Sequence, residues 1–126
     1  MDVFIAGVAD LRAYQVAVDA FARNNERLSV GDVVVDTARR DYAFSSRASL
    51  PATDTVGSRL GSVLIEGAVD VASPRYLGTF VFDTVGVAAG DTVRVEVRVG
   101  EDSFLRNESS DAIDFAVGGP MIVTID

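Results

Sequence analysis

The 126-residue chain contains no Cys, no His, no Trp and no Lys. Each absence removes a chemistry. Without Cys there is no disulfide framework and no thiolate metal site. Without His, Cys and Lys, none of the usual Ser–His, Cys–His or Ser–Lys pairs can activate a nucleophile. A zinc site would need carboxylates alone, against the nitrogen and sulfur preference of that metal. The glycines do not fall into the G-x-x-x-x-G-K-[ST] pattern of a phosphate loop. Acids are plentiful, but nothing in the spacing places two carboxylates in one apolar pocket, as a glycosidase requires. The chain is therefore expected not to be an enzyme.

Charge of one sign is also short. Eleven basic residues, all Arg, stand against 19 acids, 14 of them Asp, for a formal net charge of −8. A chain this acidic cannot collect the counterion-release affinity that nucleic acid offers. It is equally unsuited to an anionic membrane surface. Hydrophobic residues make up 48% of the sequence but come in short runs, so no direct membrane insertion is expected. Met1 is followed by Asp2 with no basic n-region, so no signal peptide is expected within these residues. The length fits a single domain over residues 1–126, burying roughly two-thirds of its unfolded surface.

What is abundant is Val. Twenty-one Val, five Ile and seven Thr give 33 β-branched residues, while Leu, Glu and Gln are scarce. Branched side chains suit pleated surfaces and lose rotamer freedom in helices. The clearest strand is residues 92–99, TVRVEVRV, with Val93, Val95, Val97 and Val99 on one face. Its other face, Arg94, Glu96 and Arg98, reads as solvated with mild charge pairing. Residues 75–83, RYLGTFVFD, are apolar on both faces and read as a central strand, with Gly78 marking a bulge or a close approach of another backbone. Shorter runs are SVLIE at 62–66 and AVDV at 68–71, and VGDVVVD at 30–36 reads as buried. AIDFAV at 112–117 and MIVTI at 121–125 flank Gly118-Gly119-Pro120 and read as a terminal hairpin.

Two stretches resist this reading. Residues 12–22 fit a strand through Tyr14, Val16, Val18 and Ala20, or a helix through Leu11, Tyr14, Val18 and Phe21. Residues 37–61 show no clean periodicity and read as one long irregular segment, a length that in compact domains usually serves function. The motif DTVG occurs at 54–57 and again at 83–86, an echo that composition alone accounts for. Many short strands with frequent turn signals point to an all-β sandwich.

Within the irregular segment, Arg39, Arg40, Tyr42 and Arg47 are the candidate binding residues. Arg and Tyr supply contact area and directed hydrogen bonds at interfaces. The same spacing also fits a plug, with Tyr42 and Phe44 in the core and the Arg side chains covering acidic neighbours. Calcium is the one cation worth weighing, because hard cations take oxygen ligands. The densest acidic cluster, Glu101, Asp102, Asn107, Glu108, Asp111 and Asp114, lacks EF-hand spacing and reads as a solvated loop, so no cofactor is expected. A carbohydrate platform would have only Tyr14, Tyr42 and Tyr76 to offer.

Several segments resemble cohesin-like modules. They are ADLRAYQVAVD at 9–19, DTARRDYAF at 36–44, YLGTFVF at 76–82, AGDTVRV at 89–95 and SFLRN at 103–107. The resemblance implies a sandwich of about nine strands with jelly-roll-like topology, related to carbohydrate-binding modules. It favours the strand at 12–22. It implies a non-catalytic module of a larger bacterial protein, secreted or at the cell surface, that assembles with a dockerin-like protein or a neighbouring module. A self-associating structural module and a carbohydrate-binding module are the alternatives. The chain departs from the family pattern at its start, where only residues 2–8 precede the Tyr14 strand. No dockerin-contacting residue carries over by position.

Overall fold

The computed structural model describes residues 1–125. Eleven strands are formed: β1 (Asp2–Ile5), β2 (Val8–Leu11), β3 (Ala13–Phe21), β4 (Val30–Val34), β5 (Ser49–Asp54), β6 (Arg59–Leu64), β7 (Val69–Val71), β8 (Arg75–Phe82), β9 (Thr92–Val97), β10 (Phe104–Arg106) and β11 (Met121–Thr124). The ambiguous 12–22 segment is strand, and it is the backbone of the larger sheet. That sheet runs β11-β9-β3-β6-β5, with β10 also paired to β3. β3 is long enough to serve two partners on one edge. Val18–Phe21 pair with β9, and Ala13–Gln15 pair with β10. Between them a 3-10 turn at Gly100–Asp102 carries the chain across, and the Ser103 hydroxyl accepts the Ala17 amide at 3.0 Å.

The smaller sheet runs β1-β8-β4, and β2 pairs with β7. The two ladders continue one another, since residues 2–11 run antiparallel to residues 69–79 with a short break at Ala6-Gly7. β8 is central, as its two apolar faces predict. Gly78 does mark a bulge: the register with β1 slips between Val3 and Phe4, leaving Leu77 as the extra residue. The group pressed against Gly78 is the Leu60 side chain rather than another backbone.

The count of eleven exceeds the nine or so expected, and most of the difference is hidden pairing. Residues 37–61 are not one irregular segment. They contain β5 and the start of β6, joined as a hairpin from Ser49↔Leu64 to Asp54↔Arg59. β5 shows no alternation because it is an exposed edge strand, and Pro51 sits there because an edge needs one ladder fewer. The run at 30–36 is not buried. Only Val33 is, because β4 is the other sheet's edge. The terminal hairpin does not form either. β11 pairs with β9, Met121↔Val95 to Thr124↔Thr92, while residues 112–117 make only a bridge at Ala112 to Arg106. Gly118-Gly119-Pro120 thus serves a crossing rather than a tight turn.

The inward residues of both sheets share one core, including Leu11, Tyr14, Val18, Leu60, Leu64, Tyr76, Phe80, Val93 and Leu105. Leu60 is wedged under Gly78, so a methyl at position 78 displaces it. Gly78→Ala should cost about 1–3 kcal/mol by overpacking. Leu60→Ala should cost about 2–5 kcal/mol by cavity formation. The double variant should lose clearly less than the sum, because each change makes room for the other. Urea unfolding of the four chains checks this, and strict additivity would remove Leu60 from contact with Gly78.

Candidate functional site

The four candidate residues are split by the fold. Residues 37–48 cross from β4 in one sheet to β5 in the other. Tyr42 is 1% exposed and Phe44 equally buried, so the segment's aromatics plug the core and do not face a partner. This corrects Tyr42 as a contact residue. The physical reason is convergence: Tyr14 from β3 and Tyr76 from β8 meet Tyr42 and Phe44 with ring centroids 5.5–6.4 Å apart. The Tyr14 hydroxyl donates to the Leu77 carbonyl at 2.7 Å and lies 3.3 Å from the Tyr42 hydroxyl. One hydroxyl carries one proton, so with Tyr14 committed to Leu77 the Tyr42 hydroxyl donates to Tyr14. Burial pushes the Tyr14 phenol well above its ordinary value. With Tyr14, Tyr42 and Tyr76 all buried, no tyrosine ring is presented for a sugar to stack on.

Arg39 is half-buried and consumed by the fold. Its guanidinium forks onto Asp41 at 2.8 and 2.9 Å, reaches Asp2 at 2.9 Å, and lies 3.9 Å from the Tyr76 ring centre. Asp2 also accepts the Thr79 hydroxyl at 2.7 Å. The result is a polar clamp tying β1, β8 and the crossing segment. The Thr79 hydroxyl and then the Arg39 guanidinium hold the Asp2 carboxyl below its ordinary value. Arg39 does the same to Asp41. Arg40 and Arg47 are exposed. Arg40 stands beside β8, where its carbonyl accepts from Arg75 at 3.3 Å. Arg47 leans over Gly67, next to the larger sheet.

The feature that residue motifs missed is the outward face of that sheet. On β6, Leu60, Ser62 and Leu64 point inward, so Gly61, Val63 and Ile65 point out. Leu50 of β5 lies opposite Val63, and Ala13 of β3 lies on its other side. Leu50 is 60% exposed and Ile65 57%, and the neighbouring outward positions on these strands, Gly61, Ala52 and Ala13, are small. This makes a flat apolar patch on a regular sheet. Arg47 and Arg12, whose guanidinium reaches the Ile65 carbonyl at 3.2 Å, edge it on one side. The Arg59–Asp54 pair at 2.7 Å edges it on the other. Further along the same face, Arg98 bridges Asp19 at 2.9 Å and the Gly57 carbonyl at 2.6 Å. Both neighbours of Val63 were legible as apolar, but only the register brings them together.

The acidic loop does not gather its carboxylates. Among the described residues no group of three or more His, Cys, Asp or Glu is placed to hold a metal ion. The Asn107 side chain instead accepts the Ser109 and Asp111 amides at 3.0 and 2.9 Å. Among the described residues no helix is long and apolar enough to cross a membrane. Both DTVG copies form exposed turns, in which Asp54 accepts the Gly57 amide and Asp83 accepts the Val85 amide, each at 2.9 Å.

The fold is that of cohesins. The chain matches a solved CaDoc0917–CaCohA2 complex over 99% of its length and 86% of that chain, with TM-score 0.55 and 16% identity. It also matches the complex of the sixth cohesin from Acetivibrio cellulolyticus scaffoldin B with a Cel5 dockerin mutant, over 99% of its length and 89% of that chain, with TM-score 0.53 and 11% identity. No family model and no curated protein matches the chain.

The clamp predicts an acid dependence. Asp2 and Asp41 hold their protons less tightly when folded, so their contribution is present above the ordinary value of 3.8 and is lost as pH falls below it. Arg39→Ala should lower the urea midpoint at neutral pH, and the gap to the parent should close between about pH 5 and pH 2. A gap independent of pH would mean that Arg39 acts only through its stacking on Tyr76.

Proposed function

We propose that the chain is a non-catalytic extracellular module that binds a dockerin-type protein partner. The observation that carries this reading is the cohesin fold over 99% of the chain, shared with a cohesin solved together with a dockerin. The absence of His, Cys and Lys from the sequence supports a role in contact rather than in chemistry. So does the flat apolar patch, because exposed contiguous apolar surface of this kind marks interaction sites.

Docking is assigned to the outward face of β5, β6 and β3. Leu50, Val63 and Ile65 supply the apolar centre. Arg47 and Arg12 supply directed donors at its rim, in the arrangement of apolar core and polar rim found at protein interfaces. Arg47 is thus the candidate from the sequence nearest this face. Arg40 is available to a partner that extends around the β8 side. Arg39 and Tyr42 act beneath, holding the crossing segment in shape.

Titration calorimetry against a panel of dockerin modules tests the reading. At least one should bind. Leu50→Asp and Ile65→Asp should each weaken binding by at least about tenfold, because they bury a carboxylate in an apolar contact. Arg47→Glu should weaken it less, as rim positions do. Both Asp variants replace exposed side chains, so their thermal midpoints should stay near the parent's. Silence across the whole panel would refute the function. Binding that is indifferent to all three variants would refute the face.

A further inference from the structure

The largest anomaly on the surface lies away from that face. Residues 115–125, FAVGGPMIVTI, are the longest stretch of the chain without a charged residue, eleven positions in a protein of net charge −8. Residues 115–124 of it are nevertheless exposed. Phe115, Val117, Met121 and Val123 are each exposed by more than a third, and Ile122 by 60%. Phe115, Val117 and Met121 line one common cleft of about 580 Å³.

β11 is also a terminal strand of the larger sheet, with its far edge unpaired among the described residues. Such an edge is a template for another strand. The outer strands β5, β4 and β1 carry devices that discourage pairing. β5 has Pro51, β4 carries the extra residue Gly31 beside Asp32, and β1 begins with the charged Asp2. β11 has none of these. Its four residues are apolar or neutral on both faces.

We propose that β11 pairs antiparallel with β11 of a second copy of this chain, joining the two larger sheets edge to edge. Two observations favour a second copy over an unrelated strand. Antiparallel pairing of one strand with itself about a two-fold axis is self-complementary, so every residue that suits one side suits the other. And two chains of charge −8 repel over most of their surfaces, whereas residues 115–124 offer a neutral strip where the repulsion is least. A four-residue ladder with a few flanking side chains is small beside the roughly 800 Å² per partner of a standard interface, so the dimer is weak, with Kd of about 10 µM to 1 mM.

Sedimentation equilibrium of the whole chain should show that association. It should tighten when NaCl rises from about 0.05 to about 0.5 M, because salt screens the like-charge repulsion while leaving the ladder intact. Ile122→Glu should raise Kd at least about tenfold. In the monomer this Glu faces Arg94 across the β9–β11 ladder, which favours the fold. In the dimer two Glu approach each other. Since the chain has no Cys, single-cysteine variants give a readout independent of that substitution. Ile122→Cys and Val123→Cys should cross-link between chains under mild oxidation well above Val56→Cys, whose site is fully exposed elsewhere. A parent chain that stays monomeric at about 1 mM in high salt would overturn the proposal. So would cross-linking at 122 and 123 no greater than at 56. A monomeric parent whose dockerin binding is lost in the Ile122→Glu variant would assign the edge to that partner and equally overturn the dimer. The sedimentation and cross-linking readouts do not depend on whether the sheet face binds a dockerin.

Discussion

The contact on which the rest of the structure depends is the hydrogen bond from the Tyr14 hydroxyl to the Leu77 carbonyl. Tyr14 belongs to the larger sheet and Leu77 to the smaller one, so the bond crosses the sandwich. Leu77 is the extra residue of the β8 bulge, outside the ladder with β1, and a buried carbonyl left without a partner would cost about 1–3 kcal/mol. The tyrosine meets that need and is itself fixed by it. With Tyr14 held, Tyr42, Phe44 and Tyr76 pack around it, and the crossing segment from β4 to β5 becomes a lid on the core. The Tyr76 amide and carbonyl then close onto Asp41 and Ala43 at 2.7 and 2.9 Å, so the lid's backbone is bonded as well as packed.

Having Arg as the sole basic residue is put to structural use by this arrangement. A guanidinium has five donors in a planar fork, whereas an ammonium is a point charge. Arg39 spends its fork on Asp41, a further donor on Asp2 and its flat face on Tyr76. Arg98 joins β9, β3 and the β5–β6 turn through Asp19 and the Gly57 carbonyl. Arg59 closes the same turn onto Asp54. Each of these residues ties together parts of the chain that the ladders alone leave separate. The acid excess supplies their partners, and what remains of it is a solvated negative surface.

The strands that announced themselves in the sequence are those with contrast between their faces. β9 alternates Val with Arg and Glu, and β8 is apolar throughout because it is central. β5 and the start of β6 were hidden for the opposite reason. β5 is exposed along nearly its whole length, and β6 carries Leu inside but Gly, Val and Ile outside, so neither shows an amphipathic period. The missing polarity on the outside of β6 was itself the signal of the proposed contact face, but it reads as one only once the register sets Leu50 beside Val63. Tyr42 was ambiguous because an aromatic flanked by arginines looks alike as a plug or as a platform. What decides it is the convergence of Tyr14 and Tyr76, residues 28 and 34 positions away, and no local pattern carries that. The strand at 121–125 was legible, but its partner was not. The valine face of β9 offered it a free edge, while residues 112–117 were drawn off by the loop that Asn107 closes.

The order of the larger sheet separates the two surfaces on which the proposed contacts rest. β11 is at one end and β5 at the other, with β9, β3 and β6 between them. At roughly 4.8 Å per strand the two lie about 19 Å apart, and one is an edge while the other is a face. Occupation of the edge therefore leaves the face uncovered. Two copies joined at β11 would carry two docking faces on one extended sheet, fixed in relative orientation by the ladder rather than by a linker. For a module whose single contact patch is modest, such pairing supplies what added area would otherwise have to, because the second binding event on a bivalent scaffold is intramolecular. A weak edge contact and a modest face thus reinforce one another without any new side chain.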